Sequence, residues 1–161
     1  MPKLFSSRSE FSARALHSLR LEKSFGNWAR EYRPIYTPAE AGLDRFVDLG
    51  KRDFIGRSGV ASHRATRQAR RLVTFVVEAE DADAIGDEPV WQDGKVVGWV
   101  TSGGYGHTVS ASIALAYVPA ASAVPGTRFE IEILGERRVA TLAPGPLYDP
   151  AGDRMRRSQS P

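Results

Sequence analysis

The sequence predicts a mainly β fold, a small antiparallel barrel or sandwich, preceded by helices and a short mixed segment. Three observations predict it. From Arg71 onward the apolar period is two, turn signals interrupt the pattern at close spacing, and five or more short strands fit between them. The 161 residues, 42% of them hydrophobic, suffice for one domain of ordinary size with a core, plus additional pieces.

Taken in order, Ala15, Leu16 and Leu19 recur at helical spacing among Arg and Ser, which predicts an amphipathic helix over Phe11 to Leu21. "YRPIYTP", Tyr32 to Pro38, holds two prolines that no helix can pass, and Thr37 then caps a short turn at Pro38 to Glu40. "RFVDL" reads as a strand, and Ser58 to Gln68 as a helix with its basic face in water. "RLVTFVV" places Val73, Phe75 and Val77 on one face. "PVW" and "KVVGWVT" flank Asp93-Gly94, a type I′ hairpin signal, because both turn positions need positive φ. "TRFEIEIL" turns Phe129, Ile131 and Ile133 inward, and "RRVATLA" follows a turn at "LGE". The tail from Pro144 is polar and rich in Pro and Gly, and is expected to be extended or loose.

"GWVTSGGYGHTVSASIALAYV", Gly98 to Val118, raises the question of a phosphate loop. Such a loop needs a helix after it to supply the anion site, and in the P-loop type a Lys. Here Ile113, Leu115 and Tyr117 alternate with Ala114 and Ala116, the period of a strand, so the glycines are expected to serve a connection between strands. Tyr105 and His107 would then decorate that loop, either as plain surface residues or facing a ligand.

Complete active-site chemistry is not visible. The chain has no cysteine, which excludes disulfides and thiolate chemistry and fits a reducing compartment. His17, His63 and His107 lack metal-ligand spacing, so no metal is expected. No GxSxG elbow occurs, and the carboxylates of "EAEDADAIGDE" read as a solvated turn. The formal charge of +3 is mild, although His63, Arg64, Arg67, Arg70 and Arg71 form one basic cluster and Arg154, Arg156 and Arg157 another; nucleic acid is not the expected partner. No apolar run reaches the ~20 residues of a membrane span, and no membrane partner is expected. The opening "MPKLFSSRSEFSARALHSLR" has the Ser- and Arg-rich composition of an organellar transit peptide, while its later half reads as the start of a helix. A cytoplasmic location is expected, with the mitochondrial matrix as the alternative.

The ordered blocks "LRLEKSFGNW", "YTPAEAGL", "KRDFIGR", "RRLVTFVV", "GDEPVW", "VGWVTSGGYGH", "SIALAYVP", "FEIEILGERR" and "PLYDPAGDRMR" resemble the carboxyl-terminal part of the glycine-cleavage T-protein superfamily. The likeness runs from about Ala13 to Arg156 and is greatest to the folate-binding region that ends dimethylglycine and sarcosine dehydrogenases and oxidases. It implies the end of a folate-binding domain and hinge over 13–57 and a β-barrel with a leading helix over 58–143; outside these, a disordered or poorly ordered stretch is expected over 1–12 and an extended tail over 144–161. Gly103 and Gly104 would lie in a barrel loop.

The resemblance implies tetrahydrofolate as cofactor, capturing a one-carbon unit, and assigns cofactor contacts to Arg20 of "LRLE", to Trp28 and to Tyr148. Arginine suits that role because its planar, always charged fork matches a carboxylate or a polar heterocycle edge. The family's catalytic aspartate belongs to an amino-terminal subdomain with no counterpart in these residues, and no flavin-binding GxGxxG is present. No catalytic residue is therefore expected in this chain. The expected activity needs a partner polypeptide with the remaining folate and flavin domains, or a homo-oligomer. Ser24 stands where many T-proteins have glycine, which puts the local turn in question. Two other readings remain: a non-catalytic barrel that recruits a protein through Phe25, Trp28 and Tyr36, and an RNA-binding relative using Arg64, Arg67, Arg70 and Arg71.

Overall fold

The computed structural model describes residues 4–66 and 68–154, with the side chains of 4–12 outside that set. Two helices, α1 (Leu4–Glu22) and α2 (Arg57–Ala65), precede six strands: β1 (Arg70–Val77), β2 (Pro89–Gln92), β3 (Lys95–Gly106), β4 (Ala111–Pro119), β5 (Arg128–Ile133) and β6 (Glu136–Leu142). The strands close into an antiparallel barrel in the order β1-β4-β3-β2-β5-β6, and β6 returns to β1 through pairs such as Phe75 with Leu142. Closure settles the choice between barrel and sandwich and leaves no open edge.

Local chemistry sets the turns. Asp93 and Gly94 have φ of 52° and 74°, and Gln92 pairs with Lys95, as a type I′ hairpin requires. Gly94→Val places a β-branched residue in the left-handed region, so a loss of about 1–2 kcal/mol is expected. Thermal unfolding checks it, and an unchanged midpoint would remove the turn from the factors that fix register. Leu134 and Gly135 repeat the device between β5 and β6, with φ of 53° and 83°. Thr37 caps as expected: Glu40 N–H donates to Thr37 Oγ1 at 3.2 Å and Thr37 N–H donates to Glu40 Oε2 at 2.9 Å, a reciprocal capping box. Glu88 accepts from the amides of Ile85 and Gly86 at 2.8 Å each, which makes the acidic run a turn.

The barrel interior takes Val73, Phe75 and Val77 from β1 and Phe129, Ile131 and Ile133 from β5, with Phe75 edge-on to Phe129 at 5.2 Å. β4 faces the opposite way from what side-chain size suggests. Ala114, Ala116 and Val118 point into the barrel, while Ile113 and Leu115 join Leu21 of α1 in a second cluster outside it. Small residues fit the interior because the facing wall already supplies two phenylalanines and two isoleucines, and a barrel of this size has room for little more. The large residues of β4 are buried under α1 and the loop after it.

Four expectations need correction. "RFVDL" is no strand: Asp44–Phe46 forms one 3-10 turn, because no described strand lies beside it to take up its backbone hydrogen bonds. Gly103 and Gly104 are not in a loop between strands. They sit inside β3, opposite Ala114 and Ile113, and the connection to β4 follows at His107 to Ser110. At Gly103 any Cβ would collide with the backbone of Ala84, so the glycine admits a crossing chain rather than a turn. Tyr105 is likewise a strand residue, and only His107 lies in the connection. Finally, Leu16 and Leu19 of the α1 stripe are 67% and 48% exposed, and the helix docks instead through Ser18, Leu21 and Glu22. Residues 1–3, Arg67, Arg156 and Arg157 lie outside the described residues.

Candidate functional site

α1 ends where Ser24 adopts φ 55°, with Ser24 N–H donating to the Leu21 carbonyl at 2.9 Å and Phe25 N–H to that of Arg20 at 2.8 Å. This is the left-handed helix stop that glycine ordinarily makes. Serine keeps the turn, and its hydroxyl accepts from Thr74 Oγ1 of β1 at 2.7 Å. The end of α1 is thereby tied to the barrel.

That stop holds Arg20 over Glu31, which is fully buried. Glu31 Oε1 accepts from Ser102 Oγ of β3 at 2.5 Å, and Oε2 accepts from Asn27 N–H at 2.7 Å with Arg20 Nη1 3.6 Å away. A register shift between Val100 and Ser102 brings Ser102 opposite Leu115, on the outer face where Glu31 waits. The Glu31 carbonyl accepts from Tyr117 Oη at 2.9 Å, and the Tyr117 ring stacks on Tyr36 at 3.7 Å. Burial, with Tyr36, Glu40 and Glu31 adding to it, pushes the Tyr117 hydroxyl well above its usual range, so it remains a donor.

The Arg20 guanidinium is pinned from several sides. Nη1 donates to the Phe25 carbonyl at 3.1 Å and Nη2 meets His17 Nε2 at 3.0 Å, while Nε–H has no acceptor among the described residues. Burial lowers the Arg20 pKa and Glu31 opposes that shift. The guanidinium side chain is 16% exposed, enough to offer its remaining donors to a planar acceptor.

The other sequence candidates are placed unevenly around it. Tyr148 is tethered two residues along α1, its N–H donating to the Glu22 carbonyl at 2.9 Å, while Lys23 Nζ donates to Asp149 Oδ2 at 3.1 Å. Its hydroxyl accepts from Arg154 at 2.6 Å. Tyr105 and His107 pack edge to face at 5.2 Å, and Ser18 Oγ donates to the Tyr105 carbonyl at 2.8 Å, which puts the pair beside the α1 turn that carries His17. Trp28 is 78% exposed and joins none of these contacts. Glu31 was missed by sequence reasoning, because a lone glutamate in "NWAREY" carries no signal of its partner 71 residues later.

Two clefts open on the described surface, and Arg20, His17 and Glu31 line neither. One of about 570 Å³ runs between the loop after α1 and β1, lined by Lys23, Phe25, Tyr32, Arg45, Phe46 and Arg71 among others. A wider one of about 1040 Å³ opens at the end of the barrel beside Tyr105, Glu80, Asp81 and Arg138. Among the described residues no three of His, Cys, Asp and Glu gather as a metal-ligating group. No helix there is long and apolar enough to cross a membrane. The basic cluster of α2 is partly structural, since Arg64 bonds Asp44 Oδ1 at 2.9 Å and the carbonyls of Asp44 and Val47.

Residues 70–149, which hold all six strands, match the glycine cleavage T-protein C-terminal barrel domain. The chain belongs to the glycine cleavage T-protein family. It is 40% identical over 151 residues to mitochondrial dimethylglycine dehydrogenase of Mus musculus, a match covering 92% of this chain and 17% of that protein. It is 39% identical to an aminomethyltransferase of Nostoc sp., over 83% of this chain and 36% of the relative. Aminomethyltransferase T of the glycine cleavage system from Bartonella henselae superposes with a TM-score of 0.76 at 26% identity, covering 83% of this chain and 38% of that one. This T-protein family chain thus spans less than a fifth of the dehydrogenase and little more than a third of the transferases.

Proposed function

We propose that this chain supplies the barrel wall and the Arg20 side of a tetrahydrofolate site, in a protein of the dimethylglycine or sarcosine dehydrogenase type that handles one-carbon units. The observation that carries the reading is Arg20 itself: its guanidinium is fixed on the buried Glu31 carboxylate while Nε–H keeps no acceptor among the described residues. These donors fit the acceptor-rich edge of a folate pterin or its carboxylates. When bound, tetrahydrofolate would supply the acceptor nitrogens for the one-carbon unit. This chain's residues would orient it and exclude water.

The remaining walls would come from residues beyond this sequence. In support, the large apolar side chains Leu16, Trp28, Ile35, Phe46 and Ile55 are between 64% and 104% exposed, and a neighbouring domain would cover such residues. "RFVDL" has a strand pattern and no strand to pair with among the described residues. The dehydrogenase relative's name places that protein in mitochondria, which favours the matrix alternative over the cytoplasm.

Titration calorimetry with tetrahydrofolate tests the reading. The chain alone is expected to bind weakly or not at all, because much of the ligand stays wet. The same residues in the complete protein are expected to give saturable binding, weakened about 10- to 100-fold by Arg20→Ala. Arg20→Ala without effect in the complete site would overturn the assignment. Binding in neither context would favour a protein-interaction module built on the same exposed face.

A further inference from the structure

We propose that His17 is a positioning residue for Arg20: its unprotonated Nε2 accepts a hydrogen bond from Arg20 Nη2 and fixes the plane of the guanidinium. The inference rests on the reading that Arg20 faces a ligand. His17 and Arg20 are three residues apart on α1, so their side chains share a face. At their 3.0 Å contact the guanidinium has only donors to offer. The imidazole must therefore accept there, which leaves its proton on Nδ1. Gly104 of β3 lies beside the ring: a Cβ there would stand 3.8 Å from His17 Nδ1 and 3.4 Å from Leu21, at ordinary van der Waals contact. Glu31 and the Phe25 carbonyl hold Nη1, and His17 holds Nη2. Without the last contact the fork can swing about its remaining two.

The arrangement is sensitive to acid. Partial burial and then Arg20 lower the His17 pKa below its ordinary 6.5, Arg30 adds to the effect, and Glu31 opposes it; β3 contributes uncharged Gly104 to this contact. Once protonated, the imidazole can no longer accept, and it repels the guanidinium. The folded pKa is depressed, so the folded state gains from His17 above the unfolded value near 6.5, and that contribution is lost as pH falls through the window below it.

The test is an NMR titration of the chain itself from pH 8 to 5, following the His17 ring and the Arg20 side-chain N–H signals. We expect a His17 midpoint below 6.5, the Nδ1–H tautomer at high pH, and Arg20 signals that move with the same midpoint. His17→Gln keeps an acceptor that does not titrate, so its Arg20 signals should stay flat across the range. His17→Ala should show the acid-like Arg20 signals at every pH, and His107→Ala should leave them unchanged. Arg20 signals that follow pH equally in His17→Gln, or a His17 midpoint at or above 6.5, would overturn the proposal. In the complete protein, tetrahydrofolate affinity should fall about two- to tenfold when the contact is lost. Intact coupling by NMR without any folate binding would remove the ligand reading of Arg20 and leave the positioning role standing.

Discussion

Glu31→Ala is expected to destabilise the chain by about 3–5 kcal/mol, the usual cost of removing one partner from a buried charge pair. The thermal midpoint should fall by roughly 10 °C for a chain of this size. The loss is large because three groups depend on one carboxylate. Ser102 Oγ loses its acceptor inside the docked surface, Asn27 N–H loses another, and the Arg20 guanidinium keeps its charge beside an empty pocket. Glu130→Ala is the control. Its carboxylate lies 3.7 Å from Arg137, with both side chains more than 40% exposed, and such a pair is worth no more than about 1 kcal/mol. Chemical denaturation of both variants decides the matter: equal, small losses would show that the Arg20–Glu31 group does not hold the loop to the barrel. Hydrogen exchange at Asn27 and Ser102 would report the undocking directly.

Gly103→Val should be comparably harmful, at about 3 kcal/mol, for a reason unrelated to charge. A Cβ at 103 meets the Ala84 carbonyl group and, at 2.9 Å, the Ala84 Cβ; Ala84 is fully buried. Backbone cannot yield as a flexible side chain does, so the chain crossing from β1 to β2 must lift away from the barrel. The hydrogen bond from Gly103 N–H to the Ile85 carbonyl, 3.2 Å, would go with it. Gly59→Ala in α2 should have the opposite sign. Nothing lies within 4 Å of its added methyl, and removing a helical glycine stabilises by about 0.5–1 kcal/mol. Melting both variants separates the two roles, and a Gly103→Val midpoint near that of the parent would show that the crossing chain is not fixed by contact with β3.

The strands of the barrel were legible because a half-buried strand writes its period into the chain. "TRFEIEIL" showed its inward face and "RLVTFVV" grouped Val73, Phe75 and Val77 on one face, and Asp93-Gly94 and Leu134-Gly135 end strands because few residues accept positive φ. The same logic left the inner face of β4 open: alternation reveals that two faces differ, not which of them is inside. The glycines of β3 were ambiguous for a related reason, since a glycine needed for close approach and one needed for a turn look alike in a sequence. "RFVDL" shows a further gap, because a strand pattern becomes a strand only where a neighbour takes its hydrogen bonds.

The sequence by itself determined the mainly β class, the family resemblance, the hairpin turns, the Thr37 cap and the presence of an arginine in "LRLE". Tertiary structure alone decided that β4 turns its large residues outward, that the Leu16 and Leu19 stripe stays uncovered, and that Arg20 is held between His17 and a buried glutamate. The division follows from range. Periodicity and turn chemistry act over a few residues and are spelled out locally, whereas the contact of Glu31 with Ser102 joins groups 71 positions apart and exists only once the barrel has closed.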